Sequence, residues 1–97
     1  MKGIFFAYDQ AYNMEIVDVL ERLGVRGFTM WQDIAGRGSK TGEPHLGNHA
    51  WPTMNNAILA FVPEETVDPI LEAVKAMDEE TPALGLRAFV WNVEKFY

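Results

Sequence analysis

The residues whose types and spacing best suggest chemistry sit between Ala35 and Asn55. The stretch Ala35-Gly36-Arg37-Gly38-Ser39-Lys40-Thr41-Gly42 places three glycines, two cations and two hydroxyls in eight residues. Glycines allow backbone N–H groups to converge on an anion, and Arg and Lys add positive charge. Gly36, Arg37, Gly38 and Lys40 are therefore candidate ligands for a small anion, and a phosphate-bearing molecule would suit them. The spacing matches neither a Walker A sequence nor a dinucleotide fingerprint, and a solvated linker is the competing reading.

The same stretch holds the two histidines of the chain, His45 and His49, within Pro44-His45-Leu46-Gly47-Asn48-His49-Ala50-Trp51-Pro52. On a helix this spacing would turn both imidazoles to one side, where they could chelate zinc, nickel or copper. Gly47, Pro44 and Pro52 argue against a helix, and Glu43 is the one candidate third ligand inside the loop, so packing or hydrogen-bonding histidines are the plainer reading. Trp31, Trp51 and Trp91 offer rings on which a base could stack, but in so small a chain they fit core and interface positions better. No nucleophile elbow, carboxylate pair or Ser-His-Asp grouping is recognisable, which points away from an enzyme.

Composition narrows the classes further. Eight basic and fourteen acidic residues give a net charge of −6, which opposes the phosphate contacts that dominate nucleic-acid affinity. Without cysteine there is no disulfide, thiolate metal site or thiol nucleophile. The apolar start, Ile4-Phe5-Phe6, is too short for a secretory leader or a membrane span, so a cytoplasmic protein without direct membrane insertion is expected.

The elements that must carry this loop follow from periodicity. Ile4–Tyr8 and Asn56–Val62 are nearly continuous apolar runs and read as interior strands. Phe28–Ile34 and Leu86–Val93 contain more polar residues and read as edge strands. Ile16, Val17, Leu20 and Leu23 recur at helical spacing, with Asn13 suited to cap the start and Gly24 to end it. Val67, Ile70, Leu71, Val74 and Met77 mark a second helix, with Thr66 suited to cap it and Pro69 in its first turn.

The order is βαββαβ, which folds as an α+β ferredoxin-like sandwich: a four-stranded antiparallel sheet, two helices on one face, and one domain over residues 1–97 with a long loop at about 35–55. Two helices cover only one face, yet the strands are apolar on both. Self-association is the economical cover for the second face, with the last four residues folding across it as the alternative.

Along essentially its whole length the chain resembles the PII-like family of trimeric signalling proteins. The resemblance is carried by the βαββαβ order, the length of about one hundred residues, and a loop between the second and third strands that opens on Gly36-Arg37 with Lys40 and Gly42 close behind. The glutamine usual after the Gly-Arg pair is Gly38 here, and the stretch corresponding to the family's phosphate-binding B-loop, Thr81-Pro82-Ala83-Leu84-Gly85-Leu86, keeps only Thr81 and Gly85.

The resemblance implies a homotrimer with ATP or ADP in the clefts between subunits, a cation at Arg87, and a loop that grips a partner protein such as a transporter or an enzyme. Two other readings share the topology. One is a metal-responsive protein similar to the CutA trimers, using His45 and His49, and the other is a small ferredoxin-like enzyme.

Overall fold

A computed structural model of the chain describes residues 1–38, 40–82 and 85–97. Among them the elements run β1 (Lys2–Asp9), a 3-10 turn (Gln10–Tyr12), α1 (Asn13–Arg22), β2 (Thr29–Ile34), β3 (Asn55–Val62), α2 (Glu64–Glu80) and β4 (Arg87–Asn92). The strands form an antiparallel sheet in the order β2-β3-β1-β4, so the two apolar runs lie inside and the two more polar runs at the edges. This is the expected βαββαβ ferredoxin-like sandwich.

One face of the sheet carries Ile4, Phe6 and Tyr8 of β1 and Ile58, Ala60 and Val62 of β3. These side chains form a single buried core with Ile16 and Leu20 of α1 and Ile70 and Val74 of α2. Both helices present the apolar positions that their periodicity predicts, and burial of such side chains is worth roughly 1.5–3 kcal/mol each. No helix of the described residues is long and apolar enough to cross a membrane.

The helix starts differ from expectation. Asn13 is the first helical residue rather than the cap: the 3-10 turn precedes it, Asp9 caps that turn by accepting the Ala11 N–H at 2.9 Å, and Asn13 Oδ1 accepts the Tyr8 hydroxyl. Thr66 lies inside α2, which begins at Glu64 directly after the extended Pro63; the acidic pair Glu64 and Glu65 then sits in the first turn, where the helix dipole favours it. Pro69 consequently falls beyond the first turn and withholds one N–H from the helix ladder. At the end of α1 the expectation holds, with Gly24 at φ +82° and the Val25 N–H returning to Leu20 C=O at 2.8 Å.

The second face of the sheet remains open. Phe61, Phe89 and Trp91 lie on it with 52, 58 and 43% of their surface exposed, beside Phe5 and Leu59. The chain end leaves these rings exposed to that extent, although Lys95, Phe96 and Tyr97, the last two themselves exposed, line a pocket with Phe61. Trp31 and Trp51 are also exposed, so none of the three tryptophans belongs to the buried core.

Candidate functional site

The long loop leaves the sheet at a β-bulge. Pairing between β2 and β3 shifts between Trp31 and Ile34, where Asp33 adopts φ 56° and its N–H donates to Asn56 Oδ1 at 3.2 Å. Asp tolerates this left-handed conformation better than most residues, and the buried Asn56 amide holds the bend. The bulge interrupts the ladder, which resumes with Ile34 opposite Asn55 before the chain turns out into the loop.

The loop has internal structure that periodicity does not reveal. Gly36 and His45 exchange both backbone hydrogen bonds, at 2.8 and 2.7 Å, and close the first arm. Gly47 N–H donates to Thr53 C=O at 3.1 Å, and Asn48 and Trp51 close a tight turn in which Asn48 Oδ1 accepts the Trp51 N–H at 2.7 Å. At its far end the loop is fastened by Gln10 N–H to Met54 C=O at 3.0 Å. In the first arm Arg37 Nε donates to Gly42 C=O at 2.8 Å, which bends its guanidinium back over the loop, while Lys40 is exposed.

The root of the loop meets the backbone ahead of β4. A β carbon on Gly38 would lie 3.0 Å from Gly85 C=O and 3.3 Å from Gly85 Cα, so this approach needs glycine. Gly85 itself adopts φ +60°. The structure thus brings Gly38 of the loop against Gly85 of the α2–β4 connection, forming a backbone-lined crease. A ligand can approach such a surface without intervening side chains, although Gly36 N–H already donates to His45 C=O and Gly85 N–H to Pro82 C=O at 3.4 Å. Ser39, and the Ala83-Leu84 pair of the 81–86 stretch, lie outside the described residues.

Arg87 stands two residues beyond Gly85, but its guanidinium reaches the other way. It donates to Leu86 C=O at 2.6 Å and lies 3.5 Å from Asp78 Oδ1 of α2. The histidines are separated by environment. His45 is 4% exposed with Nδ1 2.6 Å from Asn55 Oδ1, whereas His49 is exposed in the 48–51 turn. Among the described residues no group of three or more His, Asp or Glu side chains is arranged to hold a metal ion. Asn55, by sequence only the last residue of the loop, is the partner of His45, and nothing in its neighbours in the chain signals that role.

A sandwich of this topology, with a long loop rooted against a glycine ahead of the last strand, defines a PII-like architecture. The chain belongs to the P-II nitrogen regulatory protein family, whose model matches residues 1–97. It is similar to the PII-like protein CPII of Thiomonas intermedia K12 bound to ADP and bicarbonate, at 29% identity and TM-score 0.75 over 93% of this chain and 82% of that one. CPII bound to ADP, AMP and bicarbonate matches at 28% identity and TM-score 0.76, with the same coverage. A PII-like signalling protein of Thermus thermophilus, at 24% identity and TM-score 0.66 over 95% of this chain and 85% of that one, shares the fold. No curated relative matches the chain.

Proposed function

We propose that residues 1–97 form one regulatory domain that assembles as a homotrimer, takes an adenine nucleotide with a small anion such as bicarbonate at clefts between subunits, and controls a partner protein through the 35–55 loop. The action is cytoplasmic and non-catalytic, and the partner is a transporter or an enzyme. Gly36, Arg37, Gly38, Lys40 and Arg87 contact the ligand.

The observation that carries this reading is the meeting of Gly38 with Gly85. A ligand seated on the backbone ahead of β4 also touches the root of the loop, so its binding favours one loop conformation over others, and differential affinity is all such a switch requires. Arg37 and Arg87 supply charge once their present partners, Gly42 C=O for the first and Leu86 C=O and Asp78 for the second, yield to an anion. The open aromatic face supports assembly, because a patch of this kind is seldom left bare on a monomer. The relatives known with ADP, AMP and bicarbonate support the choice of ligand.

Calorimetric titration with ADP, AMP, ATP, cyclic AMP and bicarbonate, with light scattering on the same sample, is the test. Saturable heat from an adenine nucleotide and the mass of a trimer are expected. A protein that stays thermally silent toward all five ligands does not work this way.

A further inference from the structure

We infer that His45 is a positioning residue that sets the root of the loop: through its buried hydrogen bond to Asn55 it locks Gly36 to the sheet, and it stands beside Gly85, so that the lock fixes the loop root next to the α2–β4 connection. The ligand-dependent part of this inference rests on the function proposed above, but the lock itself is a property of the free protein.

The burial pattern shows that His45 is placed for a purpose. Its neighbour Leu46 is 42% exposed, and Asn48, His49 and Trp51 are exposed as well, while the polar imidazole is almost fully buried. That inverts the usual order, in which the apolar residue is inside. A buried polar group is retained only if it is satisfied, and His45 is: its Nδ1 lies 2.6 Å from Asn55 Oδ1, an oxygen that can only accept. Asn55 opens β3 and is paired with Asp9 of β1 and Ile34 of β2, so the imidazole is tied to the rigid part of the molecule.

Two further contacts make the arrangement interlock. The His45 backbone holds both the N–H and the C=O of Gly36, and a β carbon on Gly36 would come within 2.6 Å of Asn55 Nδ2. On its other side His45 Cε1 lies 3.5 Å from the place a β carbon of Gly85 would occupy. The imidazole is therefore bonded to the sheet through Asn55 and stands beside the backbone ahead of β4. Leaving Asn55 without its partner in this buried position carries the penalty of an unsatisfied polar group at the point where the arm joins the sheet.

Amide hydrogen exchange of Gly36 and His45 is the readout, measured on the whole protein as wild type, His45→Ala, His45→Gln and Asn55→Ala. His45→Ala and Asn55→Ala are expected to speed exchange at both amides by about tenfold or more, with Phe6 and Ile58 in the core unchanged. His45→Gln, whose amide can still donate to Asn55, restores part of the protection. Addition of ADP with bicarbonate then slows loop exchange in wild type and in His45→Gln but not in His45→Ala, although calorimetry still detects nucleotide binding. Exchange at Gly36 in His45→Ala within about twofold of wild type would overturn the inference. If His45→Ala does not fold, Gly36→Ala displaces Asn55 from the other side, and the His45 amide must lose protection there for the inference to stand. A wild-type protein that binds no nucleotide refutes the proposed function and leaves the lock to be judged on the ligand-free arm alone.

Discussion

Phe61 of β3 and Trp91 of β4 meet edge to face, ring centroids 6.4 Å apart and planes at 84°, although β1 runs between their strands. They reach each other over Gly3, which is paired with Phe61 on one side and Trp91 on the other. A β carbon at Gly3 would lie 2.5 Å from two atoms of the Trp91 ring, so the absence of a side chain at this one position permits the contact. The pair rests on the face that no helix covers, and edge-to-face geometry adds roughly 0.5–1.5 kcal/mol to what burial gives.

Gly3→Ala should therefore push the Trp91 ring aside and break the pair. The expected cost is about 1–3 kcal/mol in chemical denaturation, typical of an overpacked site, with a change in tryptophan emission. An unfolding curve that overlays the wild type would mean that the ring steps away freely.

Phe61→Ser together with Phe89→Ser tests what covers the face. Both side chains are more than half exposed in the single chain, so the change costs the monomer little of its own core. Sedimentation velocity at micromolar concentration should show a trimer for the wild type and a monomer for the double variant. Persistence of the trimer would place the subunit interface elsewhere.

The sheet was legible because its two continuous apolar runs had to be interior and its two mixed runs peripheral, and the register of β1 with β3 and β4 bears this out. The helix starts were less so. Asn13 and Thr66 are suitable caps by residue type, but the turns begin earlier, at Asp9, whose side chain caps the 3-10 turn, and at Pro63, whose extended backbone starts α2 without a side-chain cap. The tryptophans misled in part, since size and apolarity favour burial while position on the open face and in the loop leaves them exposed. The loop was visible as a break in periodicity, and Gly36 and Gly38 stood out. Their reason for being glycine was not visible, because Asn55 and Gly85 are distant in the chain and only folding brings them within reach.

Arg87 and Asp78 make a pair that should matter little to stability. Both are partly exposed, at 3.5 Å, and surface pairs of this kind contribute about 0–1 kcal/mol. Asp78→Ala is thus expected to leave the melting temperature almost unchanged while freeing Arg87, and nucleotide affinity should rise modestly. Arg87→Ala should lower it. If both variants bind ADP as the wild type does, Arg87 is not a ligand contact.

Tyr8 provides a pH signature of the core. Its phenol is fully buried, donates to Asn13 Oδ1, and is pushed up to about 12, chiefly by loss of solvent, with an Asn56 hydrogen bond opposing. The folded state holds its proton longer than the unfolded chain, which releases it near 10. The contribution to stability is whole below pH 10 and is lost as the pH climbs through about 12, amounting to roughly 2–3 kcal/mol across that window. Lysines titrate in the same range, so the measurement is the difference in slope between wild type and Tyr8→Phe in urea denaturation from about pH 9 to 12. Equal slopes would show that the phenol is hydrated.

Gly38→Ala is the most direct probe of the coupling between loop and ligand. At 3.0 Å from Gly85 C=O the new methyl group is too close for ordinary contact, and both neighbours are backbone, which yields less readily than a side chain. Either the loop root or the α2–β4 connection must move by a few tenths of an ångström, and the shape of the crease changes with it. The fold should be untouched, because Gly38 is exposed and outside the sheet. The expected result is a melting temperature near that of the wild type together with an ADP affinity reduced about tenfold, equivalent to about 1.4 kcal/mol. Gly24→Ala, at a positive-φ position with open space around it, serves as the opposite control: it should lower stability through backbone strain and leave ADP affinity as it was. Reversal of that pattern, with Gly38→Ala binding normally, would break the link between the crease and the nucleotide.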